Sequence, residues 1–190
     1  MGDGAPRALM IVAEGSEEME VVITVDVLRR GGVLVDVAGL EGPGPVTCSR
    51  GVRILPDMAL GDATGSYDVV ILPGGLGGVQ RLAGSDAVGE LLRAREKSGE
   101  RVAAICAAPA ALAKHGVFGA RTMTSHPAVH DVVAAHGKLV ADRVVVDGTL
   151  TTSQGPGSAF EFALALVRDL AGPEKAAEIT PPMMLPKAVS

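Results

Sequence analysis

Aromatic residues are nearly missing from this 190-residue chain, which has one Tyr, three Phe and no Trp. Its core must therefore be aliphatic, and its surface lacks the stacking rings that single-stranded nucleic acids need. Basic runs are missing too. Seventeen Lys and Arg against 22 Asp and Glu leave a formal net charge of −5, which excludes a phosphate-neutralising face. Only two cysteines occur, Cys48 and Cys106. They form neither a disulfide framework nor a metal pattern, and predict an intracellular, reduced chain. No apolar run spans a bilayer; the stretch Ala8–Ala13 is far too short. The amino terminus shows no signal-peptide pattern, and the Met1-Gly2 lipidation signal fails because Pro6 stands where Ser or Thr is needed. The reading is a soluble protein with no visible address.

What remains is globular: 47% hydrophobic and 21% charged residues. Six near-continuous apolar runs read as strands: Ala8–Ala13, Val33–Ala38, Val69–Leu72, Arg101–Ile105, Val144–Asp147 and Leu150–Thr152. Such runs suit a parallel sheet buried on both faces, and the helical patterns between them predict an α/β fold. The first helix is expected over Glu17–Arg30 behind a Ser16 cap, and the second over Asp86–Lys97 behind Ser85. A third should start directly after Cys106 and run to about His115. A capping box, Ser158-Ala-Phe-Glu161, should open a helix that ends at Gly172-Pro173. Asp147-Gly148 reads as a hairpin turn. Val46–Cys48 and Arg53–Leu55 read as a ribbon outside the main sheet. No repeat or long linker divides the chain, so one domain over 1–190 is expected. Its body is 6–172, and a short helix with an apolar tail fills 173–190.

The richest stretch runs from Arg101 through Cys106 to His115. A buried strand ends at the thiol and a helix follows, which is the setting of a nucleophile elbow at the carboxyl edge of a parallel sheet. The other reading of such a Cys is a small buried hydrophobe. Magnitudes show what a reactive thiol would need. Converting a thiol of pKa about 8.5 almost wholly to thiolate takes a drop of roughly 3 units, about 4 kcal/mol. A helix terminus supplies about 0.3–2 kcal/mol, and burial subtracts from that. A further donor must point at the sulfur, such as a protonated carboxylic acid. Local sequence does not separate Glu20 from Glu17 or Glu18 for that part. Gly74-Gly75, after the strand that ends at Leu72, could place amides beside the thiol as an oxyanion hole. The glycine spacing of a dinucleotide loop is absent. His126, before Pro127, is a further candidate. None of the four histidines shows metal-ligand spacing.

These residues together resemble the family of the Parkinsonism-associated deglycase, within the PfpI and class I glutamine-amidotransferase-like superfamily. The segments that carry the resemblance are Glu17–Glu20, Pro73-Gly74-Gly75, Ala103–Ala107, Ser125-His126-Pro127 and Gly155–Ala163, spread over about Ala8 to Leu185. The resemblance implies a flavodoxin-like α-β-α sandwich with a mostly parallel sheet, and a homodimer. It assigns Cys106 as nucleophile and oxidation-sensitive thiol, Glu20 as its acidic partner and His126 as a third catalytic residue. It gives Gly74, Gly75 and Ala107 to oxyanion binding and makes Cys48 a peripheral redox thiol near the dimer interface, followed by Arg50. This chain departs from the family pattern at Leu76, Ala108, Gln154 and Leu55. Ala107 stands where the superfamily's proteases carry His, which argues against peptide hydrolysis.

Two functions are implied. One is a cysteine-dependent glyoxalase that needs no cofactor or metal, extending to a protein and nucleotide deglycase acting on methylglyoxal and its early adducts. The other is a non-enzymatic redox sensor and redox-sensitive chaperone that protects against oxidative stress. Its location would be the cytoplasm, with nucleus and mitochondrion possible by resemblance. Neither a membrane span nor sequence-specific nucleic-acid binding is expected.

Overall fold

The computed structural model describes residues 4–186. The Met1-Gly2 signal and the tail's residues 187–190 lie outside the described residues. The chain opens with a βαβ unit: β1 (Arg7–Val12), α1 (Glu18–Arg30) and β2 (Leu34–Gly39). A ribbon of β3 (Val46–Thr47) and β4 (Arg53–Ile54) stands apart from the sheet, and β5 (Met58–Ala59) returns to its edge. Then come β6 (Val69–Leu72), α2 (Leu76–Gly84), α3 (Asp86–Ser98) and β7 (Arg101–Ile105). They are followed by α4 (Pro109–His115), β8 (Thr122–Met123), α5 (His130–His136) and β9 (Lys138–Leu139). A hairpin of β10 (Val144–Asp147) and β11 (Leu150–Ser153), then α6 (Ala159–Ala171) and α7 (Pro173–Ile179), complete the fold.

The seven-stranded sheet has the order β10-β11-β7-β6-β1-β2-β5. Only the β10–β11 pair is antiparallel. From β1 the chain moves to β2 on one side and later to β6 on the other. Right-handed crossovers in opposite directions put helices on both faces, and they open a crevice beyond the carboxyl ends of β1 and β6. α1 packs against α6, while α2 and α3 pack with α4. The core is mostly aliphatic, with Ala8–Val12 and the whole of β6 buried, but its largest fully buried side chains are Phe118 and Phe162. No helix among the described residues is long and apolar enough to cross a membrane.

The six expected strands are present to within a residue, as are the ribbon, the hairpin and the α3 cap, where Ser85 Oγ accepts from the Val88 amide. Three local expectations are corrected, and one helix is an addition. Ser16 does not cap α1: its buried Oγ accepts from the Ala13 amide at 3.0 Å, and Glu17 caps instead. The helix after Cys106 starts only at Pro109, because Cys106 adopts a left-handed φ of 65° and residues 106–108 form a turn. Ser158 and Glu161 form no capping box. Ser158 Oγ bonds Ser153 Oγ at 2.7 Å, and Glu161 takes Arg143 at 2.6 Å. Finally, α2 was not expected, since Leu76-Gly77-Gly78 opens it with poor helix formers.

Candidate active site

Four segments converge at the crevice: the loop after β1, the turn after β6, the turn after β7 and the stretch around His126. Cys106 sits at the carboxyl end of β7 with its peptide held on both sides. Its amide donates to Ser153 O, and its carbonyl accepts from the His126 amide, each at 2.8 Å. A left-handed non-glycine residue costs on the order of 1–3 kcal/mol, and these flanking bonds hold it in place. The side chain is only 8% exposed, yet it lines a cleft of about 1130 Å³.

Glu20 lies beneath the sulfur and is fully buried. Its Oε2 accepts the Gly74 amide at 2.6 Å, and Oε2 and the Cys106 sulfur lie only 2.6 and 2.9 Å from where a Cβ on Gly74 would stand, so acid and thiol are packed side by side. Oε1 is buried without a partner of its own. With Oε2 taking the Gly74 amide, Oε1 is the oxygen left to carry a proton when Glu20 is protonated. Burial above all, and then the nearby Glu17 charge, push Glu20 up to about 7 against the opposing bonds from Gly74 and Cys106.

The thiol is not simply acidified, as the helix-terminus reasoning expected. Burial, then the Glu20 carboxylate, push Cys106 up to about 12, opposed by the Gly75 and Ala107 amides directed at the sulfur. Two anions in one dry site repel, so the pair gives up one proton near neutrality and keeps the other. A thiolate forms here only with Glu20 protonated.

The diglycine turn lets the pieces approach. A Cβ on Gly74 would lie 2.5 Å from Cys106 Cβ and 2.6 Å from Glu20 Oε2. Gly75, at φ 85°, would place one 2.2 Å from Gly15 O. The two glycines differ in use. The Gly74 amide is taken by Glu20, whereas the Gly75 and Ala107 amides point at sulfur.

His126 is exposed on the cleft wall. Its Nδ1 accepts the Ala128 amide at 3.2 Å, which leaves Nε2 as the protonated, donating nitrogen. Gly155, which the sequence reasoning did not single out as a site residue, fits between the two: a Cβ there would meet His126 Cδ2 at 3.6 Å and Cys106 Sγ at 3.9 Å.

Cys48 is buried and lines the same cleft. Burial first, then the Glu18, Glu17 and Glu14 charges, push it up to about 11. Glu18 faces the ribbon side: burial opposes its charge, but its own amide, Ser49, and the Arg50 and Val52 amides hold its carboxyl below the usual range. Among the departures, Leu76 is exposed on the cleft wall, and Gln154 Nε2 is tied to Ala141 O at 2.8 Å. Ala108 is buried at the α4 cap, and Leu55 is exposed. Among the described residues, no group of three or more His, Cys, Asp or Glu is placed to hold a metal ion.

Over residues 6–169 the chain matches the DJ-1/PfpI family. It is 52% identical over 183 residues to the Danio rerio protein named Parkinson disease protein 7 homolog, covering 94% of this chain and 97% of that one. It is 44% identical over 181 residues to the Caenorhabditis elegans protein named glutathione-independent glyoxalase DJR-1.2, covering 94% and 96%. The crystal structure of Drosophila melanogaster DJ-1beta superposes with a TM-score of 0.94 at 49% identity, covering 96% of this chain and 100% of that one.

Proposed function

Since the chain belongs to the DJ-1/PfpI family, we propose that it is a cofactor-independent glyoxalase converting methylglyoxal and water to lactate at Cys106. One observation carries this reading: a fully buried acid, Glu20, is packed beside a cleft-lining thiol across the diglycine turn, with the Gly75 and Ala107 amides next to the sulfur. The glyoxalase name of a relative with 44% identity supports it.

The Cys106 thiolate adds to the aldehyde carbon, and the carbonyl π pair moves to oxygen, which the Gly75 and Ala107 amides stabilise. Glu20 gives that oxygen its proton and becomes the base. It then takes the hydrogen from the former aldehyde carbon to leave an enediolate, with His126 Nε2–H as donor to the second oxygen. Glu20 returns the proton to the adjacent carbon, the remaining hydroxyl proton moves to the second oxygen, and a lactoyl thioester results. Water cleaves the thioester into lactate and thiolate; of the two protons released, one restores Glu20 and one goes to solvent. On an aminocarbinol of a glycated side chain the thiolate displaces the amine, which leaves with the Glu20 proton, and the same hemithioacetal results, the deglycase form of the reaction. The test is lactate release by purified protein without glutathione or added metal. Wild type should produce it and Cys106→Ser should not; an undiminished rate in Cys106→Ser would overturn the reading.

The same geometry favours a second use, redox sensing. Peroxide reaches the sulfur from the cleft and oxidises the thiolate to sulfenate, and a second peroxide gives sulfinate, each losing one water. The Glu20 proton then hydrogen-bonds the new anion. Peroxide should add two oxygens at Cys106, and less readily in Glu20→Asp, whose donor is shorter. Equal capture in both would count against this use.

We also infer a homodimer joined through α1. Met19 and Val22 are each about half exposed on that helix (51% and 54%), an apolar stripe that a monomer gains nothing by leaving in water. Sedimentation should give twice the chain mass; a stable species near 19 kDa at micromolar concentration would contradict it.

A further inference from the structure

The Cys106–Glu20 pair has one proton to share, and α1 begins with a residue that bears on only one of the two places to keep it. Glu17 Oε2 accepts the Glu20 amide at 2.9 Å. The Glu17 amide donates to Gly74 O at 3.0 Å, while the Gly74 amide donates to Glu20 Oε2 at 2.6 Å. The cap of α1 is thereby stitched to the diglycine turn, and the Glu17 carboxylate is held on the cleft wall beside the buried acid. We propose that Glu17 is a positioning residue for the pair: its carboxylate, fixed by the cap bond, biases the shared proton toward Glu20 and the negative charge toward the Cys106 sulfur.

The other charges nearby are otherwise engaged. Glu18, also on α1, is bonded to Ser49 Oγ at 2.9 Å and to the Arg50 amide at 2.9 Å. Glu14, from the β1 loop, accepts the Thr47 amide at 2.8 Å. From the ribbon side, Cys48 and the exposed Arg50 line the cleft; from the 125–128 turn, His126 does. The Arg81–Glu41 pair sits on the same cleft wall. Of all these, Glu17 is the one bonded both to the Glu20 amide and to the turn that holds the Glu20 carboxyl, so its charge bears on ionisation of that acid, while Cys106 sits against Glu20 itself. Glu17 therefore biases where the single charge resides as well as when it forms. A charge displaced from Glu20 goes to the sulfur, where the Gly75 and Ala107 amides receive it.

The inference rests on the one-proton pair that the proposed function uses, but its test reads the thiol and not turnover. Cys106 alkylation by iodoacetamide is followed against pH, with labelled peptides separated by mass so that Cys48 does not contribute. Glu17→Gln keeps an oxygen for the Glu20 amide and removes the charge. Low-pH rates should match wild type, because they depend on the thiol alone. The midpoint should move to lower pH, and the neutral-pH plateau should fall by roughly threefold to tenfold, the scale of one partly screened like charge. Glu17→Asp, which restores the charge on a good cap residue, should return the wild-type profile. A Glu17→Gln profile that superimposes on wild type would overturn the proposal. So would a uniform drop at every pH, the mark of a purely structural cap, or a Glu17→Asp profile that copies Glu17→Gln. Failure of lactate production with this signature intact would sink the glyoxalase reading and leave the role of Glu17 standing.

Discussion

Gly74 gives its amide to Glu20 at 2.6 Å and leaves no room for a side chain against Cys106. The turn that orients the acid is thus also the turn that lets the thiol approach it. Gly74→Ala would put a methyl group 2.5 Å from Cys106 Cβ. Overpacking of this kind costs about 1–3 kcal/mol, and backbone on both sides limits relaxation. Lactate formation should fall at least about tenfold (~1.4 kcal/mol), with a measurable drop in melting temperature. An alanine variant with wild-type rates would show that the turn is looser than the structure describes.

Burial of Glu20 predicts a specific pH dependence of stability. Its carboxyl is raised from 4.5 to about 7, so between those values the folded state binds a proton that the unfolded chain releases. The stabilising contribution is complete below about 4.5 and is lost as pH rises through about 7, on the order of 3 kcal/mol at most. Glu20→Gln keeps an acceptor for the Gly74 amide and escapes that loss. Its melting temperature relative to wild type should rise steadily from pH 5 to pH 8. A constant difference across that range would contradict the buried, proton-holding acid.

Cys106 should be alkylated before Cys48 at neutral pH. Both thiols are buried and both line the cleft, yet only Cys106 has an acid to take up its proton and amides directed at its sulfur. Cys106 is pushed higher than Cys48, about 12 against about 11, only while Glu20 is ionised. When the Glu20 carboxylate takes the thiol's proton that repulsion goes, whereas Cys48 faces three carboxylates and has no such partner, and reaction rate follows thiolate fraction. Peptide mapping after brief iodoacetamide treatment should find label at Cys106 alone. Equal labelling near pH 6 would remove the distinction.

Leu164 lies mid-way along α6, which packs on α1, and Ala163, Leu164 and Val167 are all buried. A proline there removes one helical hydrogen bond and clashes with the preceding turn, costing about 3 kcal/mol or more. Against a total stability of about 5–15 kcal/mol, Leu164→Pro should lower the melting temperature by many degrees and weaken self-association. Wild-type melting would show that the helix tolerates a break at this point.

Much of this molecule was legible in its residues because buried parallel strands announce themselves as unbroken apolar runs. β1, β6 and β7 were read that way, and with them the carboxyl edge where Cys106 sits. The short pieces were harder. β5 is two residues long, and α2 opens on Leu76-Gly77-Gly78, so neither carries a period. The α1 cap misled for a different reason. Serine is the better cap residue by preference, but Ser16 is fully buried and already spent on the Ala13 amide, and that tertiary fact leaves Glu17 at the boundary. Nor could sequence alone choose among Glu17, Glu18 and Glu20. The three lie within one helical turn, and only the fold shows that Glu20 turns to the sulfur, Glu18 to Ser49 and Arg50, and Glu17 to the cleft. The state of the thiol was equally out of reach, because it depends on how dry the site is and on sharing one proton with its neighbour.

The most direct measurement of the central claim, that Cys106 and Glu20 act as one nucleophile and proton carrier, is the fate of hydrogen during turnover in heavy water. Methylglyoxal incubated with the protein in D2O, free of glutathione, should give lactate carrying deuterium at C2. The hydrogen leaves one carbon on Glu20 and exchanges with solvent before the other carbon is protonated. Glu20→Gln should slow this reaction by orders of magnitude, and Cys106→Ser should abolish it. Lactate that retains the original hydrogen at C2 would mean a direct hydride shift, and lactate formed at the wild-type rate by Cys106→Ser would mean that the thiol takes no part; either result contradicts the account.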